Sequence, residues 1–258
     1  MTEVLADIAA LLDLSQSYLW AAVLVFVRVG AVVTVLPGFG DAAVPQRVKL
    51  ALVVAFTLVV APVVAEDLER LDPGLMPLAG EAVAGLILGV GIRLMFLALQ
   101  TAAAIIAQAT TLSQLFAGAA PEPQPAIGNL FLITGVALAL HLGLHVQAAK
   151  LIILSYDILP AGGYPDAAVV ADWGLGLASQ SFGLAFSLAA PFVIAAMIYN
   201  LALGAINRAI PQLMVSMVGA PALTLGGLAL LAIAAPLALA VWLEAFQTFL
   251  ADPFVAQR

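Results

Sequence analysis

The chain contains no cysteine. A disulfide framework, a thiolate metal site and a cysteine nucleophile are therefore excluded. Charge is nearly as scarce. Eight lysines and arginines and fifteen acids among 258 residues make up 9% of the sequence and leave a net charge of −7. An acidic balance with so few bases offers no electrostatic footprint for nucleic acid. Catalytic signatures are absent too: there is no GxSxG elbow, no phosphate-cradling GxxxxGK[ST] loop and no paired aspartate cluster. The reading is not an enzyme, with no cofactor and no bound metal.

What the chain has in abundance is apolar surface. Hydrophobic residues make up 64% of it, and the mean hydropathy is +1.16. A soluble core of this size could not hide that much, so the sequence is that of an integral membrane protein. The opening MTEVLADIAALLDLSQSYLW has no basic start and carries Glu3, Asp7 and Asp13. It reads as a short amphipathic entry segment rather than a cleaved signal.

Six apolar stretches follow. The first spans about Ser17–Leu36 and carries Arg28 near its middle, and the PGFG turn (Pro37, Gly38, Phe39, Gly40) ends it. Proline cannot continue the helical ladder and glycine tolerates a sharp reversal. After Pro45, Arg47 and Lys49, the second covers about Val48–Ala65, with Pro62 expected to kink its end. The third, Leu78 to about Thr111, contains Gly85, Gly89, Gly91 and Arg93 and is expected to be tilted or broken. Leu112–Asn129, with Pro121, Pro123 and Pro125 at alternate positions, is expected to be extended. The remaining spans cover about Leu130–Leu154, Trp173–Ile206 and Gly219–Leu250. The fold class is all-α: a polytopic membrane protein of about six long, kinked or broken helices.

Bases set the expected orientation. Arg47 and Lys49 between the first two spans, and Arg208 between the last two, place those loops in the cytoplasm, against Arg70. Tyr18, Trp20, Tyr156, Tyr164, Trp173 and Trp242 then fall at outer ends, as interfacial aromatics would. Arg28 and Arg93 are costly in an apolar span and call for a partner or a wet cavity. Either a structural ion pair or a carbonyl cap satisfies that need, and so does a role in transport. Glu81 is the candidate partner of Arg93. His141 and His145, four apart, would share one helical face, but with no third ligand they make a weak metal site.

Three stretches carry a resemblance: FVRVGAVVTVLPGFGDAAVPQRVKLALVVAFTLVVAP (26–62), LHVQAAKLIILSYDILPAGG (144–163) and NLALGAINRAIPQLMVSMVGAPALTLGGLALL (200–231). Together they resemble the FliR family of flagellar biosynthesis proteins and its counterparts in virulence type III secretion. Ser155, Tyr156, Pro160 and Gly162 match the family's spacing, whereas Leu144 and Met214 depart from its usual residues.

The resemblance implies a core component of the type III protein export gate in the bacterial inner membrane, multi-pass and within the flagellar basal body. It would form, with FliP and FliQ subunits, the channel for unfolded exported proteins. FlhB and FlhA would be further partners, membrane lipid would surround the gate, and energy would come from the proton motive force and an associated ATPase. Residues 1–190 would be FliP-like and 191–258 a FliQ-like helical hairpin. The loop holding Ser113, Phe116, Gly118, Pro121, Pro123, Pro125 and Gly128 would plug the channel. Arg208, Pro211 and Gln212 would lie at a partner contact, with FlhB the candidate at Gln212. The alternative is a secondary transporter of a small solute, with Arg28 or Arg93 at a midplane site.

Overall fold

The computed structural model describes the backbone of residues 2–68, 71–110, 126–209 and 215–254, and side chains over 16–66, 68, 71–109, 128–209 and 225–254. Among the described residues there are seven α-helices and no strand: α1 (Thr2–Val35), α2 (Gln46–Leu68), α3 (Leu75–Thr110), α4 (Ala126–His141), α5 (Leu144–Ile158), α6 (Ala167–Ala209) and α7 (Val215–Ala251). Among the described residues five are long and apolar enough to cross a membrane, and the bent pair α4 and α5 makes a sixth if it is one span. The protein is an all-α, multi-pass membrane protein, as its composition requires.

The structure corrects or narrows three local expectations. Helix α3 is continuous over 36 residues and is not broken at its glycines. A helical glycine costs only about 0.5–1 kcal/mol, and these glycines are used for close packing. The break falls instead in the fourth span, where Gly143 adopts φ +80° and donates to the Leu140 carbonyl (3.0 Å). Ala126–Asn129, expected to be extended, form the first turn of α4. A proline just ahead of a helix removes a donor that the first turn does not use. Helices α2 and α6 run on past Pro62 and Pro191.

The chain divides into two compact units, Met1–Arg93 with Leu140–Leu175, and Leu94–Ala139 with Gly176–Arg258. In the first unit, α1 buries Ala21, Leu24, Val25, Arg28, Val29, Val32 and Val33, and Leu36 just past its end is buried in line with them. Their steps of three and four make one helical stripe. Helix α2 packs beside α1, burying Val53, Thr57, Val60 and Val64 and exposing Leu50, Val54, Leu58 and Val63. Helix α3 approaches α1 through small residues. A Cβ on Gly85 would run into the Arg28 carbonyl, and one on Gly89 would lie 3.0 Å from Val35 Cβ. Small residues four apart let helix backbones close in this way.

In the second unit the core is aromatic. Phe96 meets Trp242 and Phe246 edge-on at 5.1 and 5.3 Å, while Trp242 and Phe246 stack at 5.2 Å. Such offset and edge contacts suit the ring quadrupoles. Trp242 is fully buried, its Nε1 donating to the Met95 carbonyl at 2.8 Å, so it is a core residue rather than an interfacial one. Helix α6 adds Leu177, Ser181, Ala185, Leu188, Phe192 and Ala196 along one side.

Candidate functional site

The most polar buried place in the first unit is built around Arg28. Its position in the apolar stripe of α1 forces the guanidinium inward, toward α3 and the end of α5. Nε and one Nη donate to the two oxygens of Glu81 at 2.7 and 3.0 Å, a bidentate pair with both side chains fully buried. The other contacts go to Ser155 Oγ and the Leu159 carbonyl, each at 3.0 Å. The guanidinium carbon lies 3.6 Å from the centroid of the Tyr156 ring, a cation–π distance. The Glu81 carboxylate also accepts from Tyr156 Oη and from the Gly162 amide, at 3.0 Å each. Ser155 Oγ in turn donates its hydroxyl hydrogen bond to the Ile152 carbonyl at 2.6 Å.

Both charges are thus saturated. Four hydrogen bonds fill the acceptor sites of the carboxylate, and the guanidinium uses four of its five N–H groups. A bidentate, charge-assisted pair of this kind offsets the desolvation that a lone buried ion could not. The loop at 160–163 has to come close for it to form. Gly162, at φ +65°, supplies the amide, and a Cβ on Gly80 would sit 2.8 Å from the Gly163 carbonyl. The arrangement ties α1, α3, α5 and that loop together, and it leaves the Glu81 carboxylate no acceptor site for a ligand.

The pairing differs from the one expected. Glu81 serves Arg28, not Arg93, because Glu81 and Arg93 lie twelve residues apart on one continuous helix, about 18 Å along its axis. Arg93 is exposed and has no ion pair among the described residues. Tyr156, expected at an interface, is buried within the network. Its hydroxyl and that of Ser155 are members which sequence reading missed. The available signal was that α3 holds one acid, Glu81, and the membrane part of α1 one base, Arg28.

The second built feature is the PGFG turn. Pro37 is buried, and Gly38 takes φ +84° with its amide on Asp41 Oδ2 at 3.0 Å. A Cβ on Gly40 would collide with the Thr34 carbonyl, so this position too excludes a side chain. Lys49 Nζ donates to the Gly40 carbonyl at 2.7 Å, and Phe39 packs edge-on against Phe56 of α2 at 6.5 Å. The turn is therefore latched to α2 by one cation and one ring. Pro45 and Arg47 lie exposed beside it.

Comparison with known proteins places these features. Residues 19–249 match the family described as bacterial export proteins, family 1. The chain belongs to this family. It is similar to the flagellar biosynthetic protein FliR of Caulobacter vibrioides, 33% identical over 90% of this chain and 94% of the relative. It is also similar to the protein of that name from Escherichia coli, 30% identical over 85% and 84%, and from Aquifex aeolicus, 28% identical over 91% and 93%.

The match to the export family covers the Arg28 network and the PGFG turn alike. Of the other residues marked by resemblance to FliR, Ser113, Phe116, Gly118, Pro121, Pro123 and Pro125 lie outside the described residues, as do Pro211 and Gln212. Gly128 sits in the first turn of α4, with open space where a Cβ would be. Arg208 is exposed in the last turn of α6. His141 ends α4 and His145 begins α5, so the Gly143 break removes the shared helical face expected of them.

Proposed function

We propose that this chain is a FliR-type subunit of the flagellar type III export gate in the bacterial inner membrane. With FliP and FliQ subunits it forms the channel for unfolded flagellar proteins, next to FlhB and FlhA. One observation carries the reading. Helix α6 is 43 residues long and exposes large apolar side chains from Val169 through Phe182, Phe186, Ile194, Met197 and Leu201 to Ile206. At about 1.5 Å per residue that run is about 55 Å of helix contour, whereas a bilayer core is about 30 Å thick. A span this much longer than the core has to tilt, kink or be covered by other protein, and cover by partner subunits fits the gate reading.

On this reading residues 1–190 are the FliP-like part and 191–258 the FliQ-like hairpin, their join falling inside α6. The proline-rich loop, Ser113 to Gly128, plugs the channel, and Arg208, Pro211 and Gln212 mark a partner contact. A secondary transporter needs an open midplane site, and the sealed Arg28–Glu81 pair argues against one there. The test is co-production of the tagged chain with FliP and FliQ from the same organism. Co-elution in fixed proportion is expected, with the chain made alone recovered poorly. A chain that purifies alone as a stable monomer and binds a small solute would overturn the reading.

A further inference from the structure

The second unit carries a groove that none of these features uses. Val241, Glu244, Ala245, Thr248 and Phe249 form one face of α7, Gln180 and Leu184 one face of α6, and Met95 of α3 completes the lining; the volume is about 450 Å³. The lining is firmly held. Met95 accepts the Trp242 indole N–H, and Trp242 stacks on Phe246 behind it. Glu244 is the sole charged residue in the 37 of α7 and lies within its membrane-crossing portion, Leu225–Ala251.

That carboxylate is exposed and has no hydrogen bond or ion pair among the described residues. The Thr248 hydroxyl does not serve it, because it donates to the main-chain carbonyl of Glu244 at 2.9 Å. The unit's sequence offers two bases, Arg208 and Arg258. Arg208 lies 28 residues beyond Gln180, about 42 Å along α6, and Arg258 lies outside the described residues. A charge in an apolar span calls for a partner or a wet cavity. Apolar walls with one acid and one amide match an apolar helix bearing one base.

We infer that this groove seats a membrane helix of a neighbouring subunit, which presents a lysine or arginine to Glu244. The inference rests on the gate reading above. The test uses the co-produced complex carrying Glu244→Lys or Glu244→Gln, with a photocrosslinking residue placed at Thr248 or, as a control on the exposed side of α6, at Met197. Glu244→Lys is expected to lower recovered complex at least tenfold at an unchanged level of chain in the membrane, and Glu244→Gln about threefold. Second-site changes that restore assembly should turn a Lys or Arg of one partner membrane helix into Glu or Asp, and the Thr248 crosslink should join that same helix.

Unchanged recovery with Glu244→Lys overturns the inference, as does a Thr248 crosslink to lipid alone. If Glu244→Lys is itself lost from the membrane, Glu244→Gln and the crosslink decide. Capture of FliP or FliQ from Met197 but not from Thr248 removes the groove assignment and leaves the gate reading standing. Capture from neither position removes both.

Discussion

At the scale of single residues, Arg28 and Glu81 form a closed unit, and removing one leaves the other buried and uncompensated. Glu81→Gln and Arg28→Ala should each cost about 3–5 kcal/mol, seen as a fall in membrane-inserted chain and a lower unfolding temperature in detergent. The double change Arg28→Met with Glu81→Met should recover part of that loss, because no charge is then stranded. It should not recover all of it, since Tyr156 Oη and the Gly162 amide lose their acceptor. Normal chain levels with export abolished in Glu81→Gln would instead mark a direct role in transport. Both arginines were legible as expensive residues, but which one owned Glu81 was not. That depended on α3 being unbroken, which puts Arg93 out of reach, and on the chain between residues 81 and 155 returning Ser155 and Tyr156 to the same place.

At the scale of helices, the glycines divide by what surrounds them. Gly85 faces the α1 backbone, so Gly85→Ala should push α1 and α3 apart at about 1–3 kcal/mol, loosening the Arg28 network with them. Gly183 of α6 has open space around it, and Gly183→Ala should leave thermal stability unchanged or slightly raised. Thermal unfolding of the two purified variants checks the contrast. The lengths of α1, α2, α6 and α7 could be read from apolar runs and their punctuation. The site of the break could not, because α3 holds Gly80, Gly85, Gly89 and Gly91 while Gly143 stands alone between α4 and α5, so glycine content points to the wrong helix. Packing decides the difference: Gly85 and Gly89 make close contacts in an unbroken helix, while Gly143 has free space and a left-handed backbone.

For the whole molecule, the membrane class was written in the composition, and the family in the PGFG turn and the stretch ending PAGG. The interleaving of the two units was not, since residues 94–139 join partners beyond residue 176 with no local marker at either crossing. The plug proposal is tested at this scale. Deleting residues 117–124 should raise ion leakage through an assembled gate, measured as conductance in planar bilayers, and unchanged conductance in a correctly assembled gate would remove it. The Arg28 network also sets a schedule for synthesis. Its partners follow by 53, 127 and 131 residues, so at about 5–20 residues per second the arginine of the first span waits roughly 7–26 s for its last hydrogen bond. Throughout that interval the guanidinium lacks some of its hydrogen bonds, and any chain stopped before α5 carries it without its Ser155 and Leu159 partners. The completed network is thus a chemical signature of a chain made through α5 and the loop after it, before α6 and α7 are added.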